Sequence, residues 1–144
     1  MPIPARTDGK RSWIFQSNPV RFDIICFLST MNSGVWSVNQ HRNQMAIGDK
    51  VYFWMSGKDA GIYGVGTILS LPRERIGDDE NIDFGRYEVD VSVEKYLGEY
   101  YLPRTHFKIN LILSNSKIMK FAQGTNFPLS DDEVTEIEQL LSLD

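Results

Sequence analysis

Trp36 follows Gly34-Val35 and precedes Ser37, which sets an indole face beside a hydroxyl and accessible backbone groups. Such a set suits a flat heterocycle. Stacking on an aromatic contributes roughly 1–3 kcal/mol per base, and hydroxyl, amide and backbone groups discriminate among base edges. Ser17-Asn18 closes the first run of strand-forming residues, and loops at one rim of a barrel converge, so this pair is expected beside Trp36. The competing reading of Trp36 is a core residue, since tryptophan is well buried on average.

Other chemistry finds less support. His41 and His106 lie far apart in the chain with no third ligand at metal-site spacing, so each reads as a surface or hydrogen-bonded histidine and no metal is expected. The single cysteine, Cys26, lies in an apolar stretch and reads as an inert buried thiol. Gly64 and Gly66 match no phosphate-loop pattern, and no nucleophilic triad is evident. The expectation is binding without catalysis and without a cofactor.

Positioning these residues requires a scaffold, and the chain supplies strand signals first. Residues 12–17 (SWIFQS) read as a strand, and Asn18-Pro19 as the cap and first residue of a helix running through residue 30. Phe22, Ile25, Cys26 and Ser29 have the spacing of that helix's buried face. Residues 35–45 are expected to be irregular. Residues 50–56 and 62–71 read as strands, with Val51, Phe53 and Met55 on one face of the former and Tyr52, Trp54 and Ser56 on the other. Gly64 and Gly66, at i and i+2 inside a strand, indicate a bend, a bulge or a close approach.

Residues 72–84 form a charged stretch long enough to be a mobile loop. Residues 86–94 alternate as a strand, and residues 96–102 continue as another after a turn at Gly98-Glu99. Residues 117–121 read as a short strand and 124–128 as a loop. Ser130 with Glu133 makes a capping box for a last helix through Leu143, with Val134, Ile137, Leu140 and Leu141 on its apolar face. The fold class is therefore α+β: a small, bent, partly closed β-barrel with helices near both ends. A flexible tail over residues 1–11 and one domain over residues 12–144 complete the expected organisation.

Length and composition agree with one globular domain, since 144 residues with 42% hydrophobic and 24% charged residues suffice for one continuous core. No apolar run approaches the roughly 18 residues of a membrane span, no signal-like apolar stretch follows the N-terminus, and the expected location is the cytoplasm. The net charge is −4, yet it is uneven. Residues 130–144 hold six acids and no basic residue, whereas residues 1–75 carry nine Lys and Arg against five acids. The N-terminal half can therefore face a polyanion while the acidic end faces elsewhere.

The ordered combination of a strand ending Ser17-Asn18-Pro19, then Gly34-Val35-Trp36-Ser37-Val38, Gly48-Asp49-Lys50-Val51-Tyr52-Phe53-Trp54, Ser56-Gly57 and Gly61-Ile62-Tyr63-Gly64-Val65-Gly66 resembles the EVE domain of the PUA-like superfamily. Gly34 to Ser37 is also similar to the related YTH domains. The resemblance spans nearly the whole chain, including the Pro128-Leu129-Ser130 start of the last helix.

The resemblance implies a module that reads a modified base, of methylated cytosine or adenine type, flipped from DNA or RNA into an aromatic pocket. By matching motif, Trp36 is the stacking wall, Ser37 and Val38 meet the base edge, and Asn18 helps fix it. Trp54, on the face shared with Ser56, is the choice for a second wall. Arg21, Arg42 and Lys58 flank this pocket in sequence and are the candidates for phosphate contacts, which offset the few kcal/mol spent in extruding a nucleotide. The alternatives are a general RNA-binding PUA-like module, or a small hydrolase acting on modified nucleosides as in the ASCH branch of the superfamily.

Overall fold

The computed structural model describes residues 10–75, 86–121 and 123–142. Its strands are β1 (Ser12–Ser17), β2 (Ser33–Ser37), β3 (Lys50–Met55), β4 (Gly61–Ile68), β5 (Arg73–Glu74), β6 (Tyr87–Tyr96), β7 (Leu102–Pro103) and β8 (Asn126–Leu129). The helices are α1 (Ile24–Thr30), α2 (Arg104–Ile109), α3 (Lys117–Lys120) and α4 (Asp131–Leu141). The strands form one sheet in the order β2-β6-β4-β3-β1-β8, with β5 on β6 and β7 on β4. Only the β1–β3 pair is parallel among these ladders. The fold is α+β, a sheet curled into a half-barrel with helices packed on it.

The curl has local causes in β4. The β3–β4 register shifts between Phe53 and Trp54, and the β4–β6 register shifts between Val65 and Gly66. A Cβ on Gly66 would collide with the Ser92 carbonyl oxygen, so the close approach of β6 requires glycine there. The bend and the close approach expected of this glycine pair thus occur together.

Alternation along β1 and β3 divides the interior into two cores. Phe15, Val51 and Phe53 join Trp36, Ile24 and Leu28 on the side covered by α1. Ile14, Tyr52 and Trp54 point the other way, against Phe107, Leu113, Ile118 and Ile137 beneath the C-terminal helices. Asp49 is fully buried yet satisfied, accepting from Trp13 Nε1 (2.9 Å) and from the amides of Arg11 (3.1 Å) and Ala46 (3.0 Å), and so locks the start of β1 to the turn before β3.

Several local expectations change. Asn18-Pro19 does not open α1: Asn18 Oδ1 accepts from Val20 N and its carbonyl accepts from the amides of Arg21 and Phe22, closing a turn. Asp23 is the cap instead, accepting from Cys26 N at 3.0 Å. Cys26 is exposed on the resulting short helix, contrary to the buried thiol expected.

Residues 33–37 are a strand, because the β6 ladder satisfies a segment whose own composition is ambiguous. Of the strand expected over residues 96–102, Tyr96 ends β6 and only Leu102 pairs again, in the two-residue β7 after a 3-10 turn. Residues 117–120 are helical where a strand is expected, and residues 126–129 form a strand where 124–128 read as a loop. The capping box of α4 is present with both of its hydrogen bonds.

Lys10 and Arg11, assigned to the tail, are held by bonds to Ile47 O and Asp49. The remainder of the tail, residues 76–84 of the long loop and the Leu143 end of the last helix lie outside the described residues. No described helix is long and apolar enough to cross a membrane.

Candidate functional site

Because β1 and β3 run parallel, their C-terminal ends reach the same rim of the half-barrel, where Ser56 N donates to Ser17 O at 2.9 Å. The end of β2 and the segment before β8 arrive beside them. Between these ends lies a cavity of about 520 Å³, within the roughly 300–1,000 Å³ typical of small-ligand sites. Its lining includes Gln16, Ser17, Asn18, Arg21, Phe22, Trp36, Ser37, Asn39, Ser56, Arg75 and Thr125.

The structure therefore brings Ser17, Asn18, Trp36, Ser37, Ser56 and Arg21 to one cavity from three separate segments. Trp36 is only 6% exposed and packs against four rings: Phe53 at 5.1 Å, Phe22 at 5.7 Å, Phe27 at 5.8 Å and Phe15 at 6.4 Å between centroids. It is core and wall at once, so the two readings of this residue do not exclude each other. Phe22 stands edge-on to Trp36 at 89°, and the two form perpendicular apolar walls. Gly34 is required beneath them, since a Cβ there would run into the Phe27 ring that supports Trp36.

Two expected pocket residues are elsewhere. Trp54 is 2% exposed in the second core, edge-on to Phe107 at 5.1 Å. Strand alternation sends it away from the cavity, and the shared face with Ser56 ends because the chain leaves β3 at Met55 and turns. Val38 is fully buried in the first core, and its amide is taken by Tyr87 O at 3.0 Å, so it presents no group to the cavity.

Neither Arg42 nor Lys58 is part of the lining. The Arg42 guanidinium lies over the Tyr87 ring, 3.5 Å from its centroid, and Lys58 is exposed in the β3–β4 turn.

Phe22, Arg75, Gln16, Asn39 and Thr125 are cavity residues that sequence reading missed. Arg75 follows β5, which pairs with β6, and donates through Nη2 to Ser37 Oγ at 2.6 Å. Its Nη1 lies 3.2 Å from Glu88 Oε1. Glu88 is also held by Arg73 Nη2 at 2.8 Å, and Arg73 bridges on to Asp90. Hydrogen bonding from Arg73 holds the Asp90 carboxyl below its ordinary range.

Buried Asn126 follows the lining residue Thr125 and anchors its neighbours. Its Oδ1 accepts from Asn39 N at 2.7 Å and Thr125 Oγ1 at 2.8 Å, and its Nδ2 donates to Ser37 O at 3.1 Å. β2 and β8 are the two ends of the strand path, so this amide joins the sheet's ends where no backbone ladder does.

The lining offers stacking surfaces, hydroxyls, amides and guanidinium groups. Among the described residues no group of three or more His, Cys, Asp or Glu is placed to hold a metal.

Comparison with known proteins adds to this picture. The profile of the EVE domain family matches residues 11–140. No curated protein matches the chain. The fold is similar to a hypothetical protein from Leishmania major, with 20% identity, TM-score 0.77 and coverage of 96% of this chain and 98% of that one. It is similar to human THYN1, solved in complex with 5-methylcytosine-containing DNA, at 20% identity and TM-score 0.70, with 93% and 97% of the two chains covered. A YTH domain from Zygosaccharomyces rouxii MRB1, solved with N6-methyladenosine RNA, aligns at 18% identity and TM-score 0.57 over 98% and 92% of the chains.

Proposed function

Because the chain belongs to the EVE domain family, we propose that it is a non-enzymatic nucleic-acid-binding module that takes a modified base, flipped out of DNA or RNA, into the rim cavity. The observation that carries this reading is one cavity with perpendicular Trp36 and Phe22 walls, a polar remainder and the exposed Arg21 among its lining residues. Apolar walls hold a base face, the polar groups meet its edge, and Arg21 meets the phosphate beside it. Aromatic, amide, hydroxyl and guanidinium groups bind and orient a ligand, which favours recognition over turnover. The similar structures solved with methylated DNA and with methylated RNA support a base as the ligand.

A methyl group packed against these walls adds roughly 1 kcal/mol, so the preference for a modified over an unmodified oligonucleotide is about fivefold. Fluorescence anisotropy with oligonucleotides carrying 5-methylcytosine, N6-methyladenine or neither, as DNA and as RNA, measures it. Ser56→Phe fills the cavity from a partly buried position outside both cores, and the preference is expected to vanish in this variant. Equal binding of every oligonucleotide by the wild type would overturn the reading. Binding to unmodified structured RNA that survives Ser56→Phe would replace it with a general RNA-binding role.

A further inference from the structure

Resting on the base-binding reading above, we propose that Arg75 reads the hydrogen-bonding edge of the bound base and, with Ser37, selects an edge that presents adjacent acceptors. Burial separates the two arginines of the cavity. Arg21 is exposed and suits a phosphate, whereas the Arg75 side chain is only 16% exposed, in contact with the cavity and with Ser37.

The guanidinium is fixed on several sides. Ser37 Oγ accepts from it at 2.6 Å and Glu88 holds it at 3.2 Å, Arg73 holds Glu88 in turn, and the backbone that carries it is fixed by the Arg75 amide, which donates to Arg86 O at 2.6 Å. A fork fixed in this way loses little freedom on binding and keeps its planar geometry.

The Arg75–Ser37 bond also decides what Ser37 can do. Its Oγ accepts from Arg75 at 2.6 Å, so the hydroxyl proton is turned away from the guanidinium and is available as a donor. The backbone of Ser37 is fixed by its pairing in the β2–β6 ladder and by Asn126. Guanidinium and hydroxyl together make a wall of donors. Against it, N3 and O2 of a cytosine place two acceptors side by side. An adenine's Watson–Crick edge instead turns an amino donor toward a half-buried arginine, leaving a donor unpaired against a charge of the wrong sign to accept it.

Arg75→Gln and Arg75→Lys test this, with Ser37→Ala as a milder third variant. Each is titrated with the same duplex carrying 5-methylcytosine, N6-methyladenine or an abasic site at one position, after circular dichroism confirms folding. The wild type is expected to bind the 5-methylcytosine duplex best. Arg75→Gln then loses roughly tenfold in affinity for that duplex and stays within about twofold of wild type on the abasic one. Lysine retains the charge but not the planar fork, so Arg75→Lys behaves like Arg75→Gln; it decides the question if the glutamine variant does not fold.

Equal weakening on all three duplexes with restoration by lysine would make Arg75 a phosphate contact, overturning the edge assignment while base binding stands. A wild-type preference for N6-methyladenine over 5-methylcytosine would also overturn it. Wild type that binds base-bearing and abasic duplexes alike would sink the base-binding reading and this assignment with it.

Discussion

Asn126 shows how much a single buried amide decides. Its side chain accepts from the amides of Asn39 and Gln40 and the hydroxyl of Thr125 and donates to the Ser37 carbonyl, so it ties β8 to the end of β2. Replacing it with alanine removes all of these bonds, at a cost of about 2 kcal/mol. Urea denaturation of Asn126→Ala is expected to show that loss, and affinity for the preferred oligonucleotide should fall too, because Ser37 and Asn39 lose their common anchor. No local signal marks Asn126: it lies in a stretch that reads as a loop, between a glycine and a proline. Trp36 was legible because its type is rare and its neighbours are small and polar. Trp54 has an equally suitable type, yet lies on the opposite face of the sheet.

At the level of elements, β4 makes the half-barrel curl. Gly66 sits at the register shift against β6, where Ser92 O occupies the space a Cβ would need. Gly66→Ala is expected to destabilise the protein by about 1–3 kcal/mol, read from the denaturation midpoint, since backbone must move to admit the methyl. The glycine pair announced this in the sequence. Helix α1 was harder to delimit, because Asn18 and Asp23 are both good caps and Pro19 favours the earlier start. The turn at Asn18 wins, and by ending there it frees Phe22 from the helix to stand against Trp36. For residues 117–120 and 126–129 composition misleads, because α3 buries Ile118 against the second core while residues 126–129 find an open edge on β1.

Across the whole molecule, the acidic end of the chain is turned to structural use through α4. Glu138 accepts from Lys50 Nζ at 2.9 Å and from the Tyr52 hydroxyl, linking the helix to β3. Burial opposes ionisation of Glu138, but the hydrogen bonds from Tyr52 and Lys50 outweigh it and hold its carboxyl below the ordinary value of 4.5. The folded state thus takes up the proton less readily than the unfolded chain. The resulting stability is fully present above about 4.5 and is lost as pH falls through the depressed folded value.

His41 acts in the same direction at higher pH, since burial and then the charge of Lys117 depress it from 6.5. Urea midpoints measured from pH 7 to pH 3 should therefore fall in wild type, and Glu138→Gln should flatten the part of the fall below pH 4.5 only.

The sequence alone determined what depends on neighbours along the chain: the β3 and β6 strands, the capped final helix, the Gly64 and Gly66 bend, and an ordered motif specific enough for its family. Those features have periods and offsets of a few residues, which local sterics and hydrogen bonding enforce. The tertiary structure decided what depends on strand order and curl. It placed Ser17 beside Ser56, sent Trp54 and Val38 into the cores, brought Phe22 and Arg75 to the cavity, and joined Asn126 to Ser37. The Arg75–Ser37 and Asn126–Ser37 contacts join residues 38 and 89 positions apart. Such meetings follow from which sheet edges close on each other, and no pattern within either segment encodes that.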